Sequence, residues 1–250
     1  MNGELYHISC LVAGAKQALK TNTKIKYSPL KHENKTEFYV LKRKLFHNAY
    51  IAETVTAWFD NCLKNGLRDI KLFVPTSSEN RKFLGFSNTT QSRILCYFKS
   101  GKILSFVPKW EFNSTISLWD IKYTEYKISG RSDLSSGYTD NSDEFASILL
   151  NIKNFANKIG CVSFANEFQN AIDILTGVSD CNNSDICLPD KNLRMFEAAN
   201  RADMFGAMGS WNDTAYGMAT EKGFASEYEK LSQELLKQLR YAILYSINEW

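Results

Sequence analysis

The chain has 250 residues, 44% hydrophobic and 23% charged, with 16 Phe, 12 Tyr and 5 Trp. That balance excludes a disordered or fibrous chain, and no run approaches the ~20 apolar residues that cross a bilayer. The net charge of +3 is unevenly spread: residues 1–130 carry 20 Lys and Arg against 10 Asp and Glu, and residues 131–250 carry 10 against 17.

The first part reads as mixed α/β. Residues 6–12 are a short β-prone stretch running into a helix over 13–19. Residues 24–27 and 37–41 are short strand candidates. The spacing of Ile51, Val55, Trp58, Phe59 and Cys62 predicts a helix over 48–64, capped by Asn48 and stopped by Gly66. Residues 70–74 form a compact buried strand ending at Pro75. Residues 93–98 and 102–107 flank Ser100-Gly101, the pattern of a hairpin with a tight glycine turn. Residues 115–128 alternate loosely, as a further strand would.

Residues 129–142 are rich in Ser, Gly and Asp and poor in apolar side chains, and the charge changes sign there. The sequence is accordingly divided into a basic α/β domain over 1–130, a linker over 131–142 and an acidic helical domain over 143–250. Asn141 and Glu144 have capping-box spacing. Phe145, Ile148, Leu149, Ile152, Phe155 and Ile159 then trace one helical face up to Gly160. Phe164, Phe168, Ala171, Ile172 and Leu175 trace another up to Gly177. A third helix is expected from 190 to Gly206, and a last one from Ser226, boxed with Glu229. Four such helices joined by loops predict a bundle, and an α+β fold class for the whole chain. The last helix either packs within that bundle or offers Tyr241, Tyr245 and Trp250 to a second copy; the oligomeric state is not fixed.

The most distinctive string is Met204–Asp213. Gly206 is suited to end the third helix in the left-handed region, and Gly209 to turn the backbone where a Cβ would clash. Ser210, Asn212 and Asp213 are suited to bond free backbone donors. That accounts for the string structurally. The functional alternative is a binding loop made of Gly206, Met208, Gly209, Ser210, Trp211, Asn212 and Asp213, facing a ligand or partner. The absence of Gly-Lys-Ser/Thr excludes a Walker phosphate loop.

With its flanking helices, this string resembles a group of small, uncharacterised bacterial helical proteins whose core reads Gly-Gly-Met-Gly-Ser-x-Asn-Asp. The match holds at Gly206, Met208, Gly209, Ser210, Asn212 and Asp213 and departs at Ala207, and it covers residues 141–250 only. The resemblance implies a helical fold and a bacterial origin. It transfers no catalytic residue.

Enzyme signatures are otherwise scarce. The second half has no histidine for a Ser-His-Asp site at Ser210, and His7 with Cys10 would face opposite ways on a strand. Asp180, Cys181, Asp185 and Cys187 lack the histidine or close cysteine pair of a metal site. No metal, cofactor or catalytic residue is expected. The six cysteines, without CxxC pairing or a secretory signal, point to free thiols in the cytoplasm. Lys42, Arg43 and Lys44 are the best nucleic-acid contacts, in a lysine-rich stretch interleaved with aromatics.

The sequence is best read as a non-enzymatic protein of bacterial or phage origin that binds another protein, in the manner of an immunity or inhibitor-like factor. The alternatives are nucleic-acid or nucleotide binding through the basic half, and an enzyme with an interdomain site using His7 or His47 with Asp213.

Overall fold

The computed structural model describes residues 1–41, 50–77, 81, 84–127, 137–181, 183 and 185–250. The chain begins with helix α1 (Gly3–Thr21), capped by the Asn2 side chain, which accepts the Glu4 N–H at 2.8 Å. The β-prone stretch expected over 6–12 is therefore helical. Leu5, Ile8, Leu11, Val12, Ala15 and Ala18 are all buried, and burial at helical spacing overrides the weaker preference of β-branched residues for strands. Residues 24–27, expected as a strand, have no regular structure.

Strands β1 (Glu33–Val40), β2 (Tyr50–Ala52), β3 (Leu67–Phe73), β4 (Arg93–Phe98), β5 (Ile103–Asn113) and β6 (Leu118–Lys127) form one sheet in the order β2-β1-β6-β5-β4-β3. The β1–β6 pair is parallel and the others are antiparallel. The β4–β5 hairpin turns at Gly101, whose φ of 77° needs glycine's freedom. Helix α2 (Val55–Lys64) is shorter than expected, because Thr54 caps it by accepting the Ala57 N–H and residues 50–52 pair with β1. Asn48 lies outside the described residues.

After residue 141 the described chain is helical: α3 (Ser142–Lys158), α4 (Val162–Thr176), α5 (Asp190–Ala202), α6 (Tyr216–Glu221) and α7 (Ala225–Asn248). Helix α3 packs on α4, α4 on α5, and α7 on both α3 and α5. Two caps differ from expectation. The Asn141 side chain donates to the Gln238 carbonyl at 3.1 Å and its amide oxygen at 2.8 Å, while Asp140 accepts the Ser142 N–H at 2.9 Å. Helix α7 starts at Ala225 without a side-chain cap.

The buried side chains before and after this point belong to one connected core, Leu5 and Phe106 together with Phe155 and Ile243. The linker and boundary expected around 131–142 fall partly on residues outside those described. Side chains also join the two parts. Asn248 of α7 accepts the Leu72 N–H at 2.8 Å and donates to the Leu72 carbonyl at 2.9 Å, standing in for a strand on the free edge of β3. Lys16 of α1, nearly fully buried, donates to the Asn248 carbonyl. With seven α-helices and a six-stranded mixed sheet among the described residues, the fold is α+β. No described helix is long and apolar enough to cross a membrane.

Candidate functional site

The Gly206–Asp213 string forms one wall of an open cleft, and its residues divide sharply by role. Helix α5 ends at Ala202, before Gly206, and Gly209 rather than Gly206 takes the left-handed conformation, with φ 79°. Ser210 begins a single π-helical turn over Trp211–Ala215, its hydroxyl accepting the Asn212 N–H at 3.2 Å. Asp213 accepts the Gly209 N–H at 2.7 Å, closing the loop on itself. A π turn closes its hydrogen bond over one more residue than an α-helix and often marks a functional position.

Trp211 anchors the loop. It is fully buried, its indole N–H donates to the Ser232 hydroxyl at 2.8 Å, and its ring stacks on Tyr228 and meets Phe164 and Phe168 edge-on. Met208 is the opposite case, at 95% exposed. A thioether held in water on a loop whose neighbours are pinned contributes nothing to the core. Trp211 is thus the structural member of the set expected from sequence, and Met208 is free to touch something else.

Five residues from elsewhere in the chain, Arg81, Phe86, Tyr216, Tyr228 and Glu229, complete the cleft. Arg81, 4% exposed, donates from Nη1 to the Asn212 side-chain oxygen at 2.8 Å and to the Tyr228 hydroxyl at 3.0 Å, and from Nη2 to Glu229. Asn212 returns a bond to the Arg81 carbonyl at 3.0 Å, and the Tyr228 hydroxyl donates to the Trp211 carbonyl at 2.8 Å. The guanidinium also lies 5.2 Å from the centre of the Tyr228 ring, within cation–π range. Burial raises the pKa of the Tyr228 hydroxyl, so it stays a neutral donor at this junction. Glu229, expected to cap α7, is instead drawn to Arg81.

Phe86 forms the opposite lip, 59% exposed, and Tyr216 of α6 is 40% exposed beside it. The cleft between these residues, Met208, Asp213 and Glu229 encloses about 430 Å³. Its lips are apolar, its edge is acidic, and the one cation among its described lining residues, Arg81, is already neutralised by a carboxylate. Gly85 makes this junction possible: a β-carbon there would lie 2.3 Å from the Ala207 nitrogen and 2.5 Å from the Gly206 carbonyl carbon. Only a glycine permits two backbones to approach so closely. Arg81, Gly85, Phe86 and Tyr228 carry no local pattern that marks them; the Gly206–Asp213 glycine spacing was the one visible signal.

A second polar cluster lies inside the molecule. His7, with no exposed surface, is bonded through Nδ1 to the Tyr123 hydroxyl at 3.0 Å and through Nε2 to the Tyr27 hydroxyl at 2.8 Å. Glu33 accepts from the Tyr27 and Thr36 hydroxyls and lies 3.5 Å from His7 Nε2. Burial pushes the Glu33 carboxyl up, but the hydrogen bond and field of His7, with the two hydroxyls, outweigh it and hold the pKa at about 2. None of these bonds joins His7 to Asp213, which is exposed on the loop. His7 and Cys10 share a helix rather than a strand, and burial pushes the Cys10 thiol up to about 12, which leaves little reactive thiolate.

Lys42, Arg43, Lys44 and His47 lie outside the described residues. Among the described residues no three of His, Cys, Asp and Glu gather closely enough to hold a metal ion, and the six cysteines form no disulfide. No family model matches the chain, nor does any curated protein or solved structure.

Proposed function

We propose that this is a binding protein that engages another protein through the cleft between the Gly206–Asp213 loop, Phe86 and the start of α7. The observation that carries the reading is the contrast within one loop between the buried Trp211 and the 95% exposed Met208. Apolar side chains displayed on a rigid base, with polar groups around them, are the usual make-up of an interaction site. Methionine suits such a surface because its flexible, polarisable side chain adapts to its partner.

The cleft chemistry narrows the partner. Phe86, Met208 and Tyr216 favour an apolar side chain, and Asp213 with the outer part of Glu229 favours a basic residue beside it. The buried Arg81–Asn212–Tyr228 lattice holds the lips in place and offers no nucleophile poised beside a base. A non-enzymatic role in the manner of an immunity or inhibitor-like factor, with bacterial or phage origin and kinship to the Gly-Gly-Met-Gly-Ser-x-Asn-Asp proteins, is part of the same proposal.

The test is a comparison of affinity captures with the wild-type chain and with Met208→Glu combined with Phe86→Ala. Both positions are exposed, so the variant keeps its fold. A protein retained by the wild type at moderate salt and lost by the variant supports the proposal. A set of captured proteins identical for the two would remove this cleft as the binding surface.

A further inference from the structure

On the far side of Phe86 lies a second cleft, of about 290 Å³, walled by Trp110, Trp119, His32 and Phe86 and floored by Gly3 and Glu4. Its aromatic content is unusual for an incidental surface fold. His32 and Trp110 stack with centroids 5.7 Å apart and planes at 29°, and Trp119 meets Trp110 edge-on at 5.9 Å. The sequence places them together through the sheet. Trp110 is on β5, Trp119 is the second residue of β6, and the Trp119 N–H donates to the His32 carbonyl at 2.9 Å.

Two polar atoms of the residues lining this cleft have no partner among the described residues. Trp110 is 5% exposed, and its indole N–H, buried, meets no acceptor. Nε2 of His32 is likewise buried and unbonded. A buried indole N–H nearly always finds an acceptor, and leaving one unmade costs about 1–3 kcal/mol. The rest of the site is carefully satisfied. Asn88 fixes the Trp110 backbone by accepting its N–H at 2.7 Å and donating to its carbonyl at 3.0 Å. Glu4, 5% exposed, accepts from the Asn88 N–H, from the Thr90 hydroxyl at 3.2 Å and from the Thr90 backbone. A carboxylate has about four lone-pair positions, so these bonds leave Glu4 acceptor capacity to spare. Burial raises the pKa of the Glu4 carboxyl and lowers that of the His32 ring.

The geometry points to this cleft as a binding site for an uncharged planar heteroaromatic ring, of the nucleoside or free-base class. Such a ring presents a π-face to Trp119 and Phe86, an acceptor to the Trp110 N–H and a donor to Glu4. Among the described residues no lysine or arginine lines the cleft to meet a phosphate, which favours the nucleoside over the nucleotide. The volume lies at the small end of ligand sites, large enough for a ring system and little more. This inference is independent of the protein-binding cleft, although Phe86 borders both.

The indole N–H resonances of the five tryptophans provide the test, with the Trp110 signal assigned by its loss in Trp110→Phe. Titration with adenosine, guanosine, cytidine and uridine is expected to move that signal saturably for at least one of them, with a dissociation constant below about 1 mM. Trp110→Phe keeps the ring and loses the donor, and should weaken binding about five- to tenfold. If Trp110→Phe fails to fold, Trp119→Ala, at a half-buried position, should weaken binding through lost stacking. No shift with any of the four at about 5 mM, well above that limit, would overturn the inference. So would nucleoside binding that both variants leave unchanged, or a response to choline alone, which would mark a cation cage.

Discussion

Gly85 and Ala207 meet backbone to backbone, so closely that a β-carbon on Gly85 would sit 2.3 Å from the Ala207 nitrogen. This contact clamps the 84–91 loop onto the Gly206–Asp213 loop and sets the width of the cleft between them. Gly85→Ala must push two main chains apart, and it is expected to lower stability by about 3 kcal/mol. Gly217, with nothing within 4 Å of its would-be β-carbon and a place in α6, is the control. Gly217→Ala should stabilise by about 0.5–1 kcal/mol. Urea unfolding of both variants checks the pair, and equal effects would contradict the clamp.

Arg81 is the centre of the lattice beneath the cleft. Arg81→Met leaves the Asn212 oxygen and the Tyr228 hydroxyl without their donor and should cost about 2–3 kcal/mol. Glu229→Gln touches only the partly exposed end of the same network and should cost under about 1 kcal/mol. Denaturant midpoints measured side by side give the ranking, and a reversed order would place the important contact at the surface.

The His7 cluster predicts an acid-limb signature. The Glu33 pKa is brought from the ordinary 4.5 down to about 2 in the folded chain. A carboxyl with a depressed folded pKa adds stability that is present above pH ~4.5 and is lost as pH falls toward 2. Glu33 should contribute roughly 1–3 kcal/mol in this way. Glu33→Gln is expected to be less stable at pH 7 and to lose less on acidification between pH 5 and about 2. Melting temperatures across that range check this, and parallel pH curves for the two proteins would contradict it.

Asn248 closes the free edge of β3 through both polar atoms of Leu72. Asn248→Ala should cost about 1–3 kcal/mol and speed hydrogen exchange at the Leu72 amide selectively. Unchanged Leu72 exchange would show that the edge is protected by other means.

The features that could be read from sequence are those whose causes are local. The β4–β5 hairpin follows from two β-rich runs around Gly101, and α3 and α4 from apolar residues at helical spacing with glycines just beyond their ends. The start of α1 was harder. Leu5, Ile8, Ser9, Leu11, Val12 and Ala13 are all buried, and a helix covered on most sides shows little periodicity. The expected capping boxes failed for a different reason. Asn141 is bound by Gln238, and Glu229 by Arg81 from 148 positions away.

The same holds for the cleft. The glycine spacing at 206 and 209 marked one wall, while the other depends on Arg81 meeting Asn212 across 131 positions. No local pattern specifies such a pairing. Nor does the sequence distinguish Trp211 from Met208 within the string, since their burial is decided by Phe164, Phe168 and Tyr228.

The most direct test of the proposed cleft is oxidative footprinting of Met208 in the free protein and in complex with whichever partner the wild-type chain captures. The account predicts that Met208, almost entirely in water when free, becomes several-fold less reactive in the complex, together with Phe86 and Tyr216. A stable complex in which Met208 oxidises as fast as in the free chain would contradict it.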